Sequence, residues 1–398
     1  NAVYDIDGGK ATISYVPGKL AFRDVQLKTG ESGLEGNANI DHPLGNWAVQ
    51  LKAAVTNVAT NDLGTLWPET LGDNPREWVI KNLSGGGVHR AQIDLAMHRG
   101  KNGDAAIDHM AGDMTMFDID VQYLPGMPKV EKAAGHAEFN ANSFSIFVDS
   151  GAASGIEVDS AKLVFSKLDT DNEFANIEFV VHGGVRDAMN LIDHPPLGFA
   201  KKLGIDPKQL SGSQATRVQL SFPLLSDLSF DDVDVAAAAR IEKAKVSNAF
   251  RDLDLSEGSF ELQVNTKGLE LKGDARMGQG HNTINWVESF DDKTPLTSHY
   301  QLGGTFDLAV LNDIGVDVSS FLHGTATGDV EIKVIRAGNV EVSGKTDLTN
   351  SVIDLAEANY HKDAQQPSKL ALDVVFKDDG PLLRKYVHSL PGTVRPKS

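Results

Sequence analysis

Along most of the chain, apolar and polar residues alternate with a period of two. The pattern is clear in Phe144-Ser145-Ile146-Phe147-Val148-Asp149 and Val218-Gln219-Leu220-Ser221-Phe222. It recurs in Phe260-Glu261-Leu262-Gln263-Val264, Leu269-Glu270-Leu271-Lys272, Val330-Glu331-Ile332-Lys333-Val334 and Leu370-Ala371-Leu372-Asp373-Val374-Val375-Phe376. Each run puts apolar side chains on one face of a strand and mostly polar ones on the other. Turn residues separate the runs: Lys167 to Asn172, Asn265-Thr266-Lys267-Gly268 and Arg336-Ala337-Gly338-Asn339. Connections this short make antiparallel meanders, and no regular strand–helix alternation suggests a parallel sheet. The pattern predicts a mostly β, antiparallel fold built from repeated modules with a few short helices.

Three stretches break the pattern. In 61–83, Asn74-Pro75-Arg76-Glu77 reads as an N-cap, a first-turn proline and a capping-box glutamate. The helix then runs through Trp78 and Val79 to Leu83 and stops at Ser84-Gly85-Gly86-Gly87. In 186–210, an amphipathic turn at Ala188-Met189-Asn190-Leu191-Ile192 breaks at Pro195-Pro196, resumes through Phe199 and Leu203, and ends at Gly204. The third stretch is 306–322. Each break leads to a Leu-x-Gly mark, at Gly85, Gly212 and Gly324, followed by an alternating strand. The marks lie 212 − 85 = 127 and 324 − 212 = 112 residues apart, a spacing that suits a module of several strands and one helical connection. The expected modules are 1–84, 85–211, 212–323 and a partial one at 324–398.

Composition narrows the function. With 41% hydrophobic and 23% charged residues over 398 positions, the chain reads as folded rather than disordered. At that length several modules are expected rather than one core. No apolar run reaches the ~18–20 residues that span a bilayer. The chain opens with Asn1 and shows no charged n-region followed by an apolar h-region, so it reads as a segment whose membrane anchor lies outside it. A net charge of −18 argues against a nucleic-acid partner. The absence of cysteine excludes disulfides, thiolate metal sites and cysteine nucleophiles.

Candidate chemistry is sparse. His89, His98 and His109 are the densest histidines but lack metal-ligand spacing. Asp169-x-Asp171-x-Glu173 starts like a calcium loop, yet Phe174 stands at the position that needs glycine and Val180 at the position of the bidentate glutamate. A hairpin turn is expected there. Asp118/Asp120 and Asp252/Asp254 read as the wet face of a sheet, and there is no Gly-x-Ser-x-Gly elbow. No catalytic residue, metal or cofactor is expected.

What remains is one-faced strands. Two sheets could bury those faces against each other in a sandwich, or a curved sheet could keep its apolar face open to a ligand. The candidate lining positions are Phe139, Phe144, Ile146, Val148, Leu163, Phe165, Ile177 and Phe179, then Val218, Leu220 and Phe222. They continue with Phe260, Leu262, Val264, Leu269, Leu271, Val330, Ile332, Val334, Leu370, Leu372, Val374 and Phe376. Trp (four) and Tyr (six) are scarce, which favours acyl chains over sugars as a ligand class.

Several short motifs resemble the AsmA-like family of bacterial envelope proteins, in its YhdP branch. They are Leu66-Trp67-Pro68-Glu69-Thr70-Leu71 with Asn74-Pro75-Arg76-Glu77-Trp78-Val79, and Tyr123-Leu124-Pro125-Gly126-Met127-Pro128 with Gly135-His136-Ala137-Glu138-Phe139. Asp193-His194-Pro195-Pro196-Leu197-Gly198-Phe199 and the stretch 302–376 continue the likeness. The resemblance implies a periplasmic body tethered to the inner membrane by a segment not present here. That body would be an elongated, curved antiparallel sheet forming an open apolar β-groove that passes phospholipid acyl chains toward the outer membrane, as bridge-like lipid transfer proteins do, with outer-membrane or other envelope proteins as further partners. The other function classes are a TamB-like assembly factor for outer-membrane proteins and a structural or adhesive sandwich array.

Overall fold

The computed structural model describes residues 6–389 apart from 67–72, 102, 226, 251–252, 278–279, 310–318, 337, 357–358 and 378–379. Strand accounts for 68% of the structure. The chain divides into two compact units. One comprises Asn1–His182, Leu191–Phe199 and Arg217–Asp234; the other comprises Gly183–Asn190, Ala200–Thr216 and Val235–Ser398. Among the described residues, no helix is long and apolar enough to cross a membrane.

The first unit carries β1 (Gly8–Val16), β2 (Lys19–Thr29), β3 (Ser32–Asp41), β4 (Ala48–Ala59), β5 (Leu83–Ser84) and β6 (Gly87–Arg99). It continues with β7 (Ala105–Val121), β8 (Val130–Asn140), β9 (Ser143–Ala153), β10 (Ile156–Ser166), residues 174–182 of β11 (Phe174–Gly184) and residues 217–223 of β12 (Leu210–Pro223). Strands β1 to β4 pair in order, β4 pairs β6, and the meander runs on through β7, β8, β9 and β10, antiparallel throughout. The short β5 pairs the end of β7.

The second unit carries β13 (Asp234–Phe250), β14 (Leu253–Asn265), β15 (Gly268–Met277), β16 (Gly280–Ser289), β17 (Leu296–Asp307), β18 (Leu322–Ile335) and β19 (Val340–Asp347). After them come β20 (Ser351–Leu355), β21 (Tyr360–Lys362), β22 (Lys369–Lys377) and β23 (Gly380–Ser389). Its antiparallel order is β13-β14-β15-β16-β17-β18-β19-β22-β23. A side pairing of β20 and β21 is attached to the start of β18. The alternating runs fall inside β9, β12, β14, β15, β18 and β22, and the three turn segments connect strands as the residues predict.

β-Bulges interrupt the ladders. Asp24, Lys132 and Asn248 sit in bulges with φ of 50°, 52° and 53°. A backbone N–H that leaves the ladder needs another acceptor, and a neighbouring strand supplies it each time. Asp24 N donates to Asn37 Oδ1, Lys132 N to Asp120 Oδ1 and Asn248 N to Asp254 Oδ1, all at 3.0 Å. Bulges of this kind bend a strand and sharpen its twist.

The first break forms α1 (Leu63–Leu66) and α2 (Asp73–Asn82). Helix α2 starts at Asp73, so Asn74 and Pro75 lie within its first turn rather than at the cap and first position. The chain enters the helix two residues earlier than the capping pattern indicates. Arg76 Nη2 donates to Gly64 O at 2.6 Å and ties α2 to α1. The second break forms α3 (Val185–Asp193) and α4 (Phe199–Lys202), which ends at Gly204 (φ 69°), where Ile205 N donates to Ala200 O. The third break lies mostly outside the described residues, and Phe306 belongs to β17. Gly212 (φ 118°) and Gly324 (φ 100°) open β12 and β18 in a conformation that L side chains avoid. A Cβ at Gly212 would also lie 2.9 Å from Ala244 Cα, which explains why the Leu-x-Gly marks carry glycine.

Candidate functional site

Residues directly opposite each other in antiparallel strands share a face, so register alone sorts the side chains. In the first unit, Phe139 stands opposite Phe144. Phe144, Ile146 and Val148 stand opposite Phe165, Leu163 and Ala161. The Phe139 and Phe144 rings stack at 5.9 Å. Gly112 leaves room for the Phe139 ring, because a Cβ there would lie 2.3 Å from Phe139 Cζ. The same face continues through Met114 and Met116 on β7, Ile93 and Leu95 on β6, Val49 and Leu51 on β4, and Leu20 and Phe22 on β2. Phe147 faces the other way, where His136 stacks on it at 4.7 Å and Lys162 Nζ lies 5.5 Å from its centroid.

On β11 and β12 the polar residues meet across the strands. Arg217 pairs with Glu178, Gln219 Nε2 donates to Glu178 Oε2 at 3.3 Å, and Ser221 Oγ donates to Asn176 Oδ1 at 2.9 Å. By alternation, Ile177, Phe179, Val218, Leu220 and Phe222 share the opposite face.

The second unit lays its apolar positions out in rows across seven strands. One row runs Val264, Leu269, Glu288, Ser298, Val334, Val340, Phe376. The next runs Leu262, Leu271, Trp286, Tyr300, Ile332, Val342, Val374, and a third Phe260, Gly273, Ile284, Leu302, Val330, Gly344, Leu372. Leu370 stands in a fourth row beside Thr346. Every candidate position in this unit therefore lies on one face. The other face carries charge: Arg240 near Glu261 (3.7 Å), and Glu331 between His299 (2.8 Å) and Lys333 (3.0 Å). Hydrogen bonds from Lys333 and then His299 hold the Glu331 carboxyl below the usual glutamate range.

Burial distinguishes an open face from a sealed one. Phe260 (6% exposed) and Leu269 (7%) are buried, Phe260 in a cluster with Ala244, Leu255, Ala275 and Met277. The other candidate positions are half-buried. A second sheet packed over them would remove nearly all of their accessible surface. Half-burial is what flanking side chains on the same sheet provide. Residue reading missed part of this face: Leu20, Phe22, Val49, Leu51, Ile93 and Leu95 in one unit, and Ile284, Trp286, Tyr300 and Leu302 in the other. The alternation Leu20-Ala21-Phe22 and Val49-Gln50-Leu51 carried the missing signal.

Of the candidate polar groups, His98, Asp120, Asp254 and Asp169 have local partners. His98 Nδ1 lies 2.9 Å from Asp108, and His109 stands opposite Ala96. Among the described residues no three His, Asp or Glu side chains gather as a metal site. Asp120 and Asp254 accept from bulge amides as described, and Asp252 lies outside the described residues. Asp169, in the β10–β11 turn, accepts from the side-chain amide of Asn142 in the β8–β9 turn.

The family model described as YhdP protein matches residues 5–389. No curated protein matches the chain.

Proposed function

The chain belongs to the YhdP family, AsmA-like cell-envelope proteins of the bridge-like lipid-transport type, and from that premise we propose that its apolar sheet faces conduct phospholipid acyl chains between the inner and outer membranes, without a catalytic step. The observation that carries this reading is the register: alternating residues from many strands align into largely apolar rows, left partly exposed, against a charged reverse face. An acyl chain loses about 0.8 kcal/mol for each CH₂ exposed to water, roughly 13 kcal/mol for sixteen carbons. A continuous apolar track removes most of that barrier with no bond made or broken. The compartment would be the periplasm, with an inner-membrane tether elsewhere in the protein. The partial exposure of the faces speaks against a sandwich array.

Photocrosslinking tests the proposal. A benzophenone amino acid at Leu262 or Leu271 in the full-length protein should give lipid adducts in cells, and one at Glu261 or Glu270 on the reverse face should not. Protein adducts at Leu262 with no lipid would favour the assembly-factor reading and count against lipid conduction.

A further inference from the structure

The first two rows of the second unit contain a polar cluster within the apolar face. Glu288 stands between Leu269 and Ser298, and Trp286 between Leu271 and Tyr300. Trp286 Nε1 donates to Glu288 Oε2 at 3.0 Å. The Trp286 and Tyr300 rings stack, with centroids 5.8 Å apart and planes 14° apart, and Ser298 stands two residues before Tyr300 on the same face. Ser298 is buried and the other three are half-buried. Among the described residues, Glu288 makes no ion pair and its only side-chain donor is the indole.

The position is informative. Strand β16 ends at Ser289, β17 begins at Leu296, β18 ends at Ile335 and β19 begins at Val340. The Glu288 row therefore lies at the strand ends, where water reaches, while the Ile284–Leu302–Val330 row lies two steps inward, about 13 Å along the strands. A lipid lying on this face has the same polarity order, a wet head and dry chains. A carboxylate covered by lipid loses hydration and needs a cation in return. Trp and Tyr ring faces attract a cation as well. An ammonium with N–H donors can bond the carboxylate and the Ser298 and Tyr300 oxygens, a trimethylated head has no such donors, and an anionic head is repelled.

We propose that Glu288, Trp286, Tyr300 and Ser298 form a head-group station for a diacyl phospholipid bearing a primary ammonium. The acyl chains would lie on the adjoining apolar rows. The station rests on the lipid-conduction reading and adds a chemical preference to it.

The test equilibrates the purified chain with dodecyl maltoside micelles holding equal amounts of phosphatidylethanolamine, phosphatidylglycerol and phosphatidylcholine with identical acyl chains. Retained lipid is then quantified by mass spectrometry. The ethanolamine lipid should be enriched about three- to tenfold over each of the others. Glu288→Gln should abolish the enrichment and keep the total lipid, whereas Glu270→Gln on the reverse face should leave it unchanged. Equal retention of the three lipids by the unsubstituted chain overturns the station and leaves lipid conduction standing, and this arm needs no variant to fold. Enrichment that persists in a folded Glu288→Gln chain also overturns it. Retention of no lipid at all overturns both readings.

Discussion

Leu262→Asp places a charge in the middle of the second unit's apolar face, and its expected cost follows from the structure. Leu262 is half-buried, flanked on the same face by Ala239 of β13 and Leu271 of β15. Full burial of a leucine contributes about 2 kcal/mol, so losing the part that Leu262 buries costs about 1–1.5 kcal/mol. The poorer strand propensity of aspartate adds less than about 1 kcal/mol. On an uncovered face the carboxylate keeps its water, so the total should be about 1–2 kcal/mol. For a unit of this size that is a fall in Tm of roughly 2–8 °C. Phe260→Asp provides the contrast, because Phe260 is 6% exposed in its cluster. A carboxylate desolvated there, with a cavity beside it, should cost more than about 4 kcal/mol. The assay is a thermal melt of both variants by circular dichroism, beside envelope permeability in cells carrying Leu262→Asp in the full-length protein. Leu262→Asp should melt close to wild type and still fail in transport. Equal destabilisation by the two substitutions would mean that the face is sealed. A normal melt with normal transport would remove this face from the mechanism.

Further outcomes follow from particular contacts. Lys362 is 1% exposed, and its ammonium donates to the carbonyls of Leu348, Ser351 and Asp363 at 2.9, 2.7 and 3.1 Å. Lys362→Met should remove the ammonium's hydrogen bonds to those carbonyls and loosen the β20–β21 side pairing, read as faster amide exchange there, with the apolar rows unchanged. Glu331 has a lowered folded pKa, so its share of stability is present above the unfolded carboxyl range and is lost as pH falls through the folded value. Glu331→Gln should therefore flatten the acid limb of stability against pH below about 4.5, and an unchanged limb would show that the pair contributes nothing. Gly212→Ala should destabilise by more than about 1 kcal/mol, because of its φ of 118° and the 2.9 Å approach of Ala244 Cα. Gly8→Ala, where a Cβ meets nothing within 4 Å, should melt as wild type.

Much of this architecture was legible in local order. A period of two admits only one assignment of side chains to faces, so Phe260-Glu261-Leu262-Gln263-Val264 announced its apolar side before any partner was known. The two-residue turn at Thr266-Lys267 then set Val264 against Leu269 and Leu262 against Leu271, because a hairpin's register follows from its loop. The proline pair and Gly204 marked the second helical break for similar local reasons. The tertiary structure decided the rest. Asp24, Lys132 and Asn248 hold left-handed bulges only because Asn37, Asp120 and Asp254 on neighbouring strands accept their amides, a long-range condition that no single residue type signals. Partner identity across longer connections, such as Leu302 against Val330 and Val342 against Val374, depends on the whole meander closing in register. So does the meeting of Trp286, Tyr300, Glu288 and Ser298. In sequence, Glu288 only breaks an alternation; on the folded face, cross-strand neighbours and nearness to the strand ends turn it into a carboxylate beside two aromatic rings. Openness was also undecidable from pattern, since a sealed sandwich and an open face need the same alternation and differ only in whether a second layer removes the remaining surface.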